Sequence, residues 1–587
     1  MGRPNAGLRA EVLAVIALLG VLCLIALPGM SSPRMLDDID QMKFVARFRG
    51  WGDCFGTDAF GLFRPVKNLI FFGLGDIPVA DWHCLNLLVY LSAVAAVYVA
   101  LRRLLQSPAW ALLGTSIWAT CPTQTSAAIW MSCVNISLAI VLICACLCFH
   151  DLSRDANRRA DWQVGVAVLC LFLALCSYES AVMVPALCLL VDVLRRRPVF
   201  SKESMIRYGM YGFVTLVYLW IRFHAGAFHG NQQAHPGFAP DLAKWQLSVS
   251  APWLLWKHFS MWLMPPGRIE FLGTYVWGIS ASPAALAGAW AWLLGLVTII
   301  VVARKREPWL SFGLLWFIAA SFPTSNFIPI WAGPVEDYYL VIPSIGLSIA
   351  LLGCARQILA WISARPAVGF SQRSLAGGAI LGVGLIWRAL GIPLFWYQSC
   401  LWNRPAELYL NCDLTRPGQY EAQGLAAREI FFMGKLDQAE ELAKKSYATA
   451  PWYSVTTVLL GKIELSRKNY DEAIRYFDET IKLEPGNSDL LDYCNLNKAT
   501  ALMARQETRH RSREILLPIL TNARSPLHLD AVNLLADYYL GENKLPEARK
   551  AIANGIRLHP DDPLLPKRLE SINSEMMRSN ESKGVEK

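Results

Sequence analysis

An uncharged run from Val12 to Pro33 opens the chain, and it restricts the fold more than any other feature. At 1.5 Å of rise per residue, such a run is about as long, once helical, as the ~30 Å hydrocarbon core of a bilayer is thick. It exceeds the ~7–15 apolar residues at the centre of a cleaved signal peptide, and similar runs follow it, so it reads as a retained membrane span. Those runs are Trp82–Leu101, Pro108–Cys121, Ser126–Phe149, Trp162–Ser177, Ala181–Leu194, Tyr208–Ile221, Ile279–Ala303, Pro308–Ser321, Tyr338–Ala355 and Leu375–Tyr397. The reading is therefore all-α: a polytopic helical bundle of about 11 spans. Trp253–Met264, which carries Lys257 and His258, reads as a helix lying in the membrane interface. The pairs of runs around Pro122 and Glu179 read equally as one broken helix or as a hairpin.

Charge sets the orientation. Arg3 and Arg9, Arg102-Arg103, Arg154 to Arg159, Arg195-Arg196-Arg197, Arg304-Lys305-Arg306 and Arg356 to Arg373 fall in alternate connections, which places those connections and the N-terminus in the cytoplasm. Loops 31–81, 224–278 and 322–337 then face the opposite side, and so does the C-terminal region. With 17% charged residues the 587-residue chain is poor in charge for a soluble protein. Its net charge of +9 reflects this topology, so no nucleic-acid partner is read from it. Most of the 15 cysteines sit inside spans as small apolar residues. Cys400 and Cys412 lie close enough in sequence to pair in an oxidising compartment, and no metal-ligand spacing is present.

Past residue 402 the composition changes and a period emerges. "GKLDQAEELAKKSYATAP" ends at Pro451, "KNYDEAIRYFDETIKLEP" at Pro485 and "NKLPEARKAIANGIRLHP" at Pro560. The first two prolines are 34 residues apart, as are Ala439 and Ala473, and Ala548 keeps the same offset from its own proline. With Gly461 and Phe477 in register, this is the tetratricopeptide pattern: small residues let paired helices approach, an aromatic fills the gap, and proline ends the second helix. Residues 417–575 thus read as an α-solenoid of about four repeats that binds protein, and 576–587 as a disordered tail.

The chemistry is expected in the outer loops. "MLDDIDQMKF" puts Asp37, Asp38 and Asp40 directly beyond the first span. Asp40 capping the next helix would account for one acid and leave the pair. Carboxylates kept at membrane depth are functional candidates. In "FGLFRPVKNL", Arg64 and Lys67 offer two cations one turn apart, suited to a phosphate or, equally, to snorkelling at an interface. Arg222 and His224 add donors on the same side. Acids beside cations here suggest transfer from a lipid-phosphate-linked donor, an acid activating the acceptor hydroxyl while cations hold the departing phosphate. Glu179 lies in an apolar stretch as a charge paired internally, a protonated acid, or the outer end of a helix hairpin.

Several short pieces, in order, resemble the transmembrane O-mannosyltransferases that carry tetratricopeptide repeats, members of the C-type glycosyltransferase superfamily (GT-C). They are "LDDID", "FRPVKNLIF", "WHCLNLLVYL" with His83 and Asn86, "CPTQTSAAIWMSCVNISLAI", "CSYESAVMVPALCLLVD" with Tyr178 where lysine is usual, and "FPTSNFIPIWAGPVEDYYLVIPSIG". Glu336-Asp337 stands where that family has Glu-Arg, so mannose is not carried over. The resemblance implies a GT-C-like domain over 1–402 with a polyprenyl-phosphate sugar donor and no certain cofactor, the role of a divalent cation being open. It implies catalytic Asp37 and Asp38, the latter slightly favoured as base, donor-phosphate contacts from Arg64, Lys67 and Arg222, and a pocket near His83, Glu179, Glu336 and Asp337. The acceptor would be a protein hydroxyl, at the extracytoplasmic face of an inner membrane. The rival reading is a non-catalytic, membrane-anchored repeat scaffold for envelope assembly.

Overall fold

The computed structural model describes residues 6–154, 161–226, 239–263, 277, 281–329, 333–363, 379, 390–413, 419–523 and 525–585. It is nearly all helical, with no β-strand among the described residues. The chain divides into Met1–Gln419 and Tyr420–Lys587, where composition had suggested edges at 402 and 417.

The first unit runs through α1 (Ala6–Ala26), α2 (Asp37–Val45), α3 (Pro65–Leu74), α4 (Val79–Leu105), α5 (Pro108–Ala119), α6 (Thr125–Ile129), α7 (Val134–Leu152) and α8 (Asp161–Ser177). It continues with α9 (Val184–Leu194), α10 (Lys202–His224), α11 (Lys244–Leu263), α12 (Pro283–Ala303), α13 (Pro308–Ser321) and α14 (Pro343–Ser363). Proline opens α3, α5, α12 and α13, where its missing N–H costs nothing. Among the described residues, five segments are long and apolar enough to cross a membrane: Gly7–Ser31, Val79–Leu105, Met131–Leu152, Pro283–Ala303 and Pro343–Ala360.

That corrects the expectation of eleven. Hydropathy persists across points where the backbone breaks, so α5, α9 and α13, with 12, 11 and 14 residues, reach only about 16–21 Å. The breaks are short 3-10 turns at Pro122–Gln124, Met131–Cys133, Glu179–Met183, Phe322–Thr324 and Asp337–Leu340. Side chains occupy some of the backbone groups freed there, as buried irregular backbone requires. Thr125 Oγ1 donates to the Pro122 carbonyl at 2.7 Å, Asn135 Nδ2 to that of Ser177 at 2.8 Å, and Trp118 Nε1 to that of Val341 at 2.8 Å. The expected span Leu375–Tyr397, with Arg388, lies mostly outside the described residues.

Helices α13 and α14 pack closest, because Gly313 and Gly346 let the two backbones meet: a Cβ on either would collide with the other's carbonyl. Helix α11 packs against α12 and the Asp337–Leu340 turn with Trp253, Leu254, His258 and Trp262 buried. At the end of the bundle carrying the paired arginines, Asp151 meets Arg103 (2.6 Å), Arg197 (2.8 Å) and Arg195 (3.3 Å) and ties together the ends of α4, α7 and α9. Cys400 and Cys412 are free thiols, not a disulfide.

The second unit consists of four helical hairpins: Tyr420–Phe432 with Leu436–Thr449, Ser454–Ser466 with Tyr470–Leu483, Ser488–Met503 with Arg509–Thr521, and His528–Gly541 with Leu545–Leu558. Ala439, Ala473 and Ala548 are fully buried. Gly461 lies under the Phe477 ring, which a Cβ would approach to 2.8 Å. The turn inside three of the hairpins needs a left-handed residue, and Gly434 (φ 78°), Lys468 (φ 65°) and Asn543 (φ 59°) supply it. A closing helix, Leu564–Val585, takes in most of the segment expected as a disordered tail. Its Leu565 and Ile572 pack on the last hairpin and give the stack an end.

Candidate functional site

Leu36 stands immediately before the acids with φ 52° and ψ −129°, a conformation that a branched side chain adopts only under constraint. That turn starts α2 at Asp37, so both acids fall in its first helical turn. Asp40 follows in the same turn and does not serve as the N-cap, a position Leu36 takes.

The two acids differ sharply. Asp38 is 1% exposed and pinned: one carboxylate oxygen accepts from the Ser132 N–H (2.8 Å) and hydroxyl (2.7 Å), the other from the Met35 N–H (3.4 Å). Burial is the main cause that lifts its pKa from 3.8 to about 7, against those hydrogen bonds. Asp37 is half-buried. Burial raises its pKa as well, while the nearby charges of Lys67 and Arg64 pull it down.

Loop 46–64 is held by a polar lock. Gln41 Nε2 donates to Asn68 Oδ1 at 2.9 Å, Asn68 Nδ2 donates to the carbonyls of Cys54 and Thr57 at 3.1 Å, and the Ala59 N–H donates to Gln41 Oε1 at 3.2 Å. Asp58 accepts from the N–H groups of Phe60 (3.0 Å) and Leu62 (2.9 Å), closing the turn that leads to Arg64.

Arg64 and Glu179 form the strongest contact of the site. Nε lies 2.7 Å from one carboxylate oxygen and Nη2 2.5 Å from the other, a bidentate fork whose side chains are 14% and 23% exposed. Burial would raise Glu179, but Arg64, and more weakly Arg222, outweigh it and bring its pKa down to about 2. Of the three alternatives for Glu179, it is the internally paired charge. Asp58 stands 3.7 Å from Arg64, whose guanidinium also lies 5.4 Å from the Tyr178 ring. Of the two alternatives for Lys67 snorkelling falls away, since it is buried, 1% exposed, with its ammonium 5.1 Å from the Phe60 ring and 5.9 Å from Phe71.

The last wall is the turn before α14. Glu336 and Asp337 are buried, and the Ser126 hydroxyl donates to Asp337 at 2.6 Å. Tyr338 and Tyr339 are half-buried with ring centroids 4.7 Å apart, and Tyr338 stacks edge-on to Trp130 at 5.6 Å. The negative charge of Asp37 reaches Tyr338, which ties this wall to the acid pair. The half-buried groups are thus Asp37, Arg64, Glu179, Tyr338 and Tyr339, backed by buried Asp38, Lys67 and Tyr178. His83 stands apart: its ring bridges the Ser32 carbonyl (2.9 Å) and the Ile129 carbonyl (3.0 Å), clamping the segment after α1 to the end of α6. Gln41, Asp58, Asn68 and Ser132 belong to this site and were not singled out from sequence. The only trace they leave is a concentration of small polar residues in otherwise apolar surroundings. No group of three or more His, Cys, Asp or Glu among the described residues is arranged to hold a metal ion.

No family model matches the chain, and no curated protein does. The solved structures it is similar to include two helical tetratricopeptide-repeat proteins. One is the crystal structure of yeast Tom70, at 11% identity and a TM-score of 0.25, covering 83% of this chain and 96% of that one. The other is the crystal structure of the APC/C hetero-tetramer Cut9-Hcn1, at 12% identity and a TM-score of 0.26, covering 91% of this chain and 98% of that one. At these scores the likenesses say nothing about the site. No glycosyltransferase is among these matches, so the resemblance to the transmembrane O-mannosyltransferases is corrected. Short pieces in the right order did not make the chain a member, and what stands is a nearly all-helical protein with a repeat unit at its C-terminal end.

Proposed function

We propose that the first unit is a polytopic membrane transferase that moves a sugar from a polyprenyl-phosphate-linked donor to an acceptor hydroxyl on the extracytoplasmic face of an inner membrane, and that the repeat unit binds the protein bearing that hydroxyl. The reading rests on these residues and on no family. The observation that carries it is the contrast within the acid pair: a half-buried Asp37 within electrostatic reach of Arg64 and Lys67, beside an Asp38 fully committed to Ser132 and Met35.

Only the half-buried acid is placed to take the proton of an attacking hydroxyl. Asp38 positions the turn and holds Asp37 in register, which reverses the preference drawn from sequence. Arg64 meets the phosphate whose charge grows as it leaves, and buried Lys67 adds positive charge from behind it. Arg64 does so by sharing its fork with Glu179, so the phosphate displaces or shares a partner already in place. The test is mass spectrometry of envelope glycoproteins and glycolipids from cells with the wild-type gene, without it, and with Asp37→Asn. Loss of one sugar modification in both altered strains supports the reading, and identical glycan profiles in all three remove it.

The second reading is a non-catalytic repeat scaffold anchored in the membrane. The four hairpins favour it, because such stacks ordinarily bind proteins. It leaves the buried ionisable cluster of the first unit without a task, and it predicts unchanged glycans in the Asp37→Asn strain.

A further inference from the structure

His258 on α11 takes no part in the scheme above, yet it is 2% exposed and its Nε2 is buried without a hydrogen-bond partner. A buried imidazole left half-satisfied loses the hydration of that nitrogen without compensation unless something pairs with it. The ring's other side hydrogen-bonds the Leu254 carbonyl one turn back, which assigns the proton to Nδ1 and leaves Nε2 as a pure acceptor. Burial lowers its pKa to about 4, so the ring is neutral at physiological pH and keeps that lone pair. An orphan acceptor calls for an O–H or N–H donor, and a phosphate would not satisfy it.

The position of the ring says where that donor comes from. His258 meets Tyr339 edge to face at 6.1 Å, on the wall that Tyr339 and Tyr338 form with Trp130. Asp37 bears on Tyr338, and Glu336 and Glu179 on Tyr339. The wall thus offers aromatic faces and an unpaired acceptor together. That combination suits a sugar ring, whose C–H face packs on an aromatic while its hydroxyls seek hydrogen bonds.

We propose that His258 Nε2 accepts a hydrogen bond from a hydroxyl of the sugar carried by the lipid-linked donor, which makes it a specificity-determining residue of this site. The inference rests on the proposed transfer reaction. Its test uses the full-length protein in lipid nanodiscs and two probes: a short polyprenyl phosphate carrying one hexose, and the same lipid phosphate without sugar. Wild-type protein binds the glycosylated probe more tightly. His258→Phe keeps the ring against Tyr339 and loses about tenfold for the glycosylated probe, with bare-lipid binding unchanged, while His258→Gln restores an acceptor and recovers most of the preference. A His258→Phe protein that keeps the preference, or that weakens for both probes alike, overturns the inference. Wild-type protein that binds neither probe, or only the bare lipid, overturns the proposed reaction together with it. Should His258→Phe fail to accumulate, singly deoxygenated hexose probes decide on the wild type: one must bind about tenfold more weakly, and equal binding of all of them refutes the assignment.

Discussion

Breaking the Arg64–Glu179 fork isolates one interaction on which both the fold of the outer loop and the chemistry of the site depend. Glu179 falls from an ordinary 4.5 to about 2, which at 1.36 kcal/mol for each tenfold step corresponds to about 3 kcal/mol favouring the ionised, paired form. The side chains are 14% and 23% exposed, so some screening by solvent applies and a coupling of about 2–3 kcal/mol is expected. Glu179→Gln leaves Arg64 with Asp58 at 3.7 Å as a weaker partner, and Arg64→Gln leaves Glu179 with the charge of Arg222, so each single variant loses less than an isolated pair would. A double-mutant cycle on denaturant unfolding of the full chain in mild detergent measures the coupling directly. The pH dependence supplies a second check. Because the folded pKa of Glu179 is depressed, its contribution is complete above 4.5 and disappears as pH falls through about 2, so the coupling is flat from pH 8 to 5. A coupling under about 0.5 kcal/mol at pH 7.5 would show the fork open in solution and refute the geometry.

Four further outcomes follow from particular residues. Asp38→Asn removes a group whose folded pKa is raised from 3.8 to about 7, so wild-type stability falls as pH rises from about 4 to about 7 and levels off above, while the variant lacks this fall; pH-resolved unfolding in detergent shows whether the two curves part. Leu36→Gly relieves the backbone at φ 52° yet frees the acid turn, giving slower sugar transfer at equal or higher stability, read by turnover and unfolding on the same preparation. Lys468→Gly suits the left-handed turn and stabilises the second hairpin by about 1 kcal/mol, measured by hydrogen exchange over residues 454–483. Gly461→Ala drives a Cβ to 2.8 Å from the Phe477 ring and costs about 1–3 kcal/mol in the same measurement.

The repeat unit was legible because its period is enforced by packing: where Ala473 must admit a neighbouring helix, alanine returns one repeat away at Ala439, and the place of Gly461 is taken one repeat earlier by another small residue, Ala427. The acid pair after the first helix was legible because charge beside a long apolar run is conspicuous. Their ranking was not, since it depends on Ser132, 94 residues from Asp38, and Glu179 lies 115 residues from Arg64. Nothing local in a sequence announces such pairings. Lys67 read equally as a phosphate contact or a snorkelling cation, and its burial among apolar neighbours is not visible in the sequence. The span count failed for a related reason: hydropathy runs straight through Pro122 and Tyr178, whereas the backbone leaves the helix there and spends its length on the short turns that carry Ser132 and Glu179.

The most direct measurement is to incubate purified full-length protein with a polyprenyl phosphate carrying a radiolabelled hexose and, as acceptor, envelope protein from cells lacking the gene, and to follow the label from the lipid to the acceptor hydroxyl. Label leaving the lipid with wild-type protein, and remaining on it with Asp37→Asn at equal folded protein, is the predicted result. Release that is unaffected by Asp37→Asn, or absent from the wild type, contradicts the assignment of Asp37 as the acid that starts the transfer.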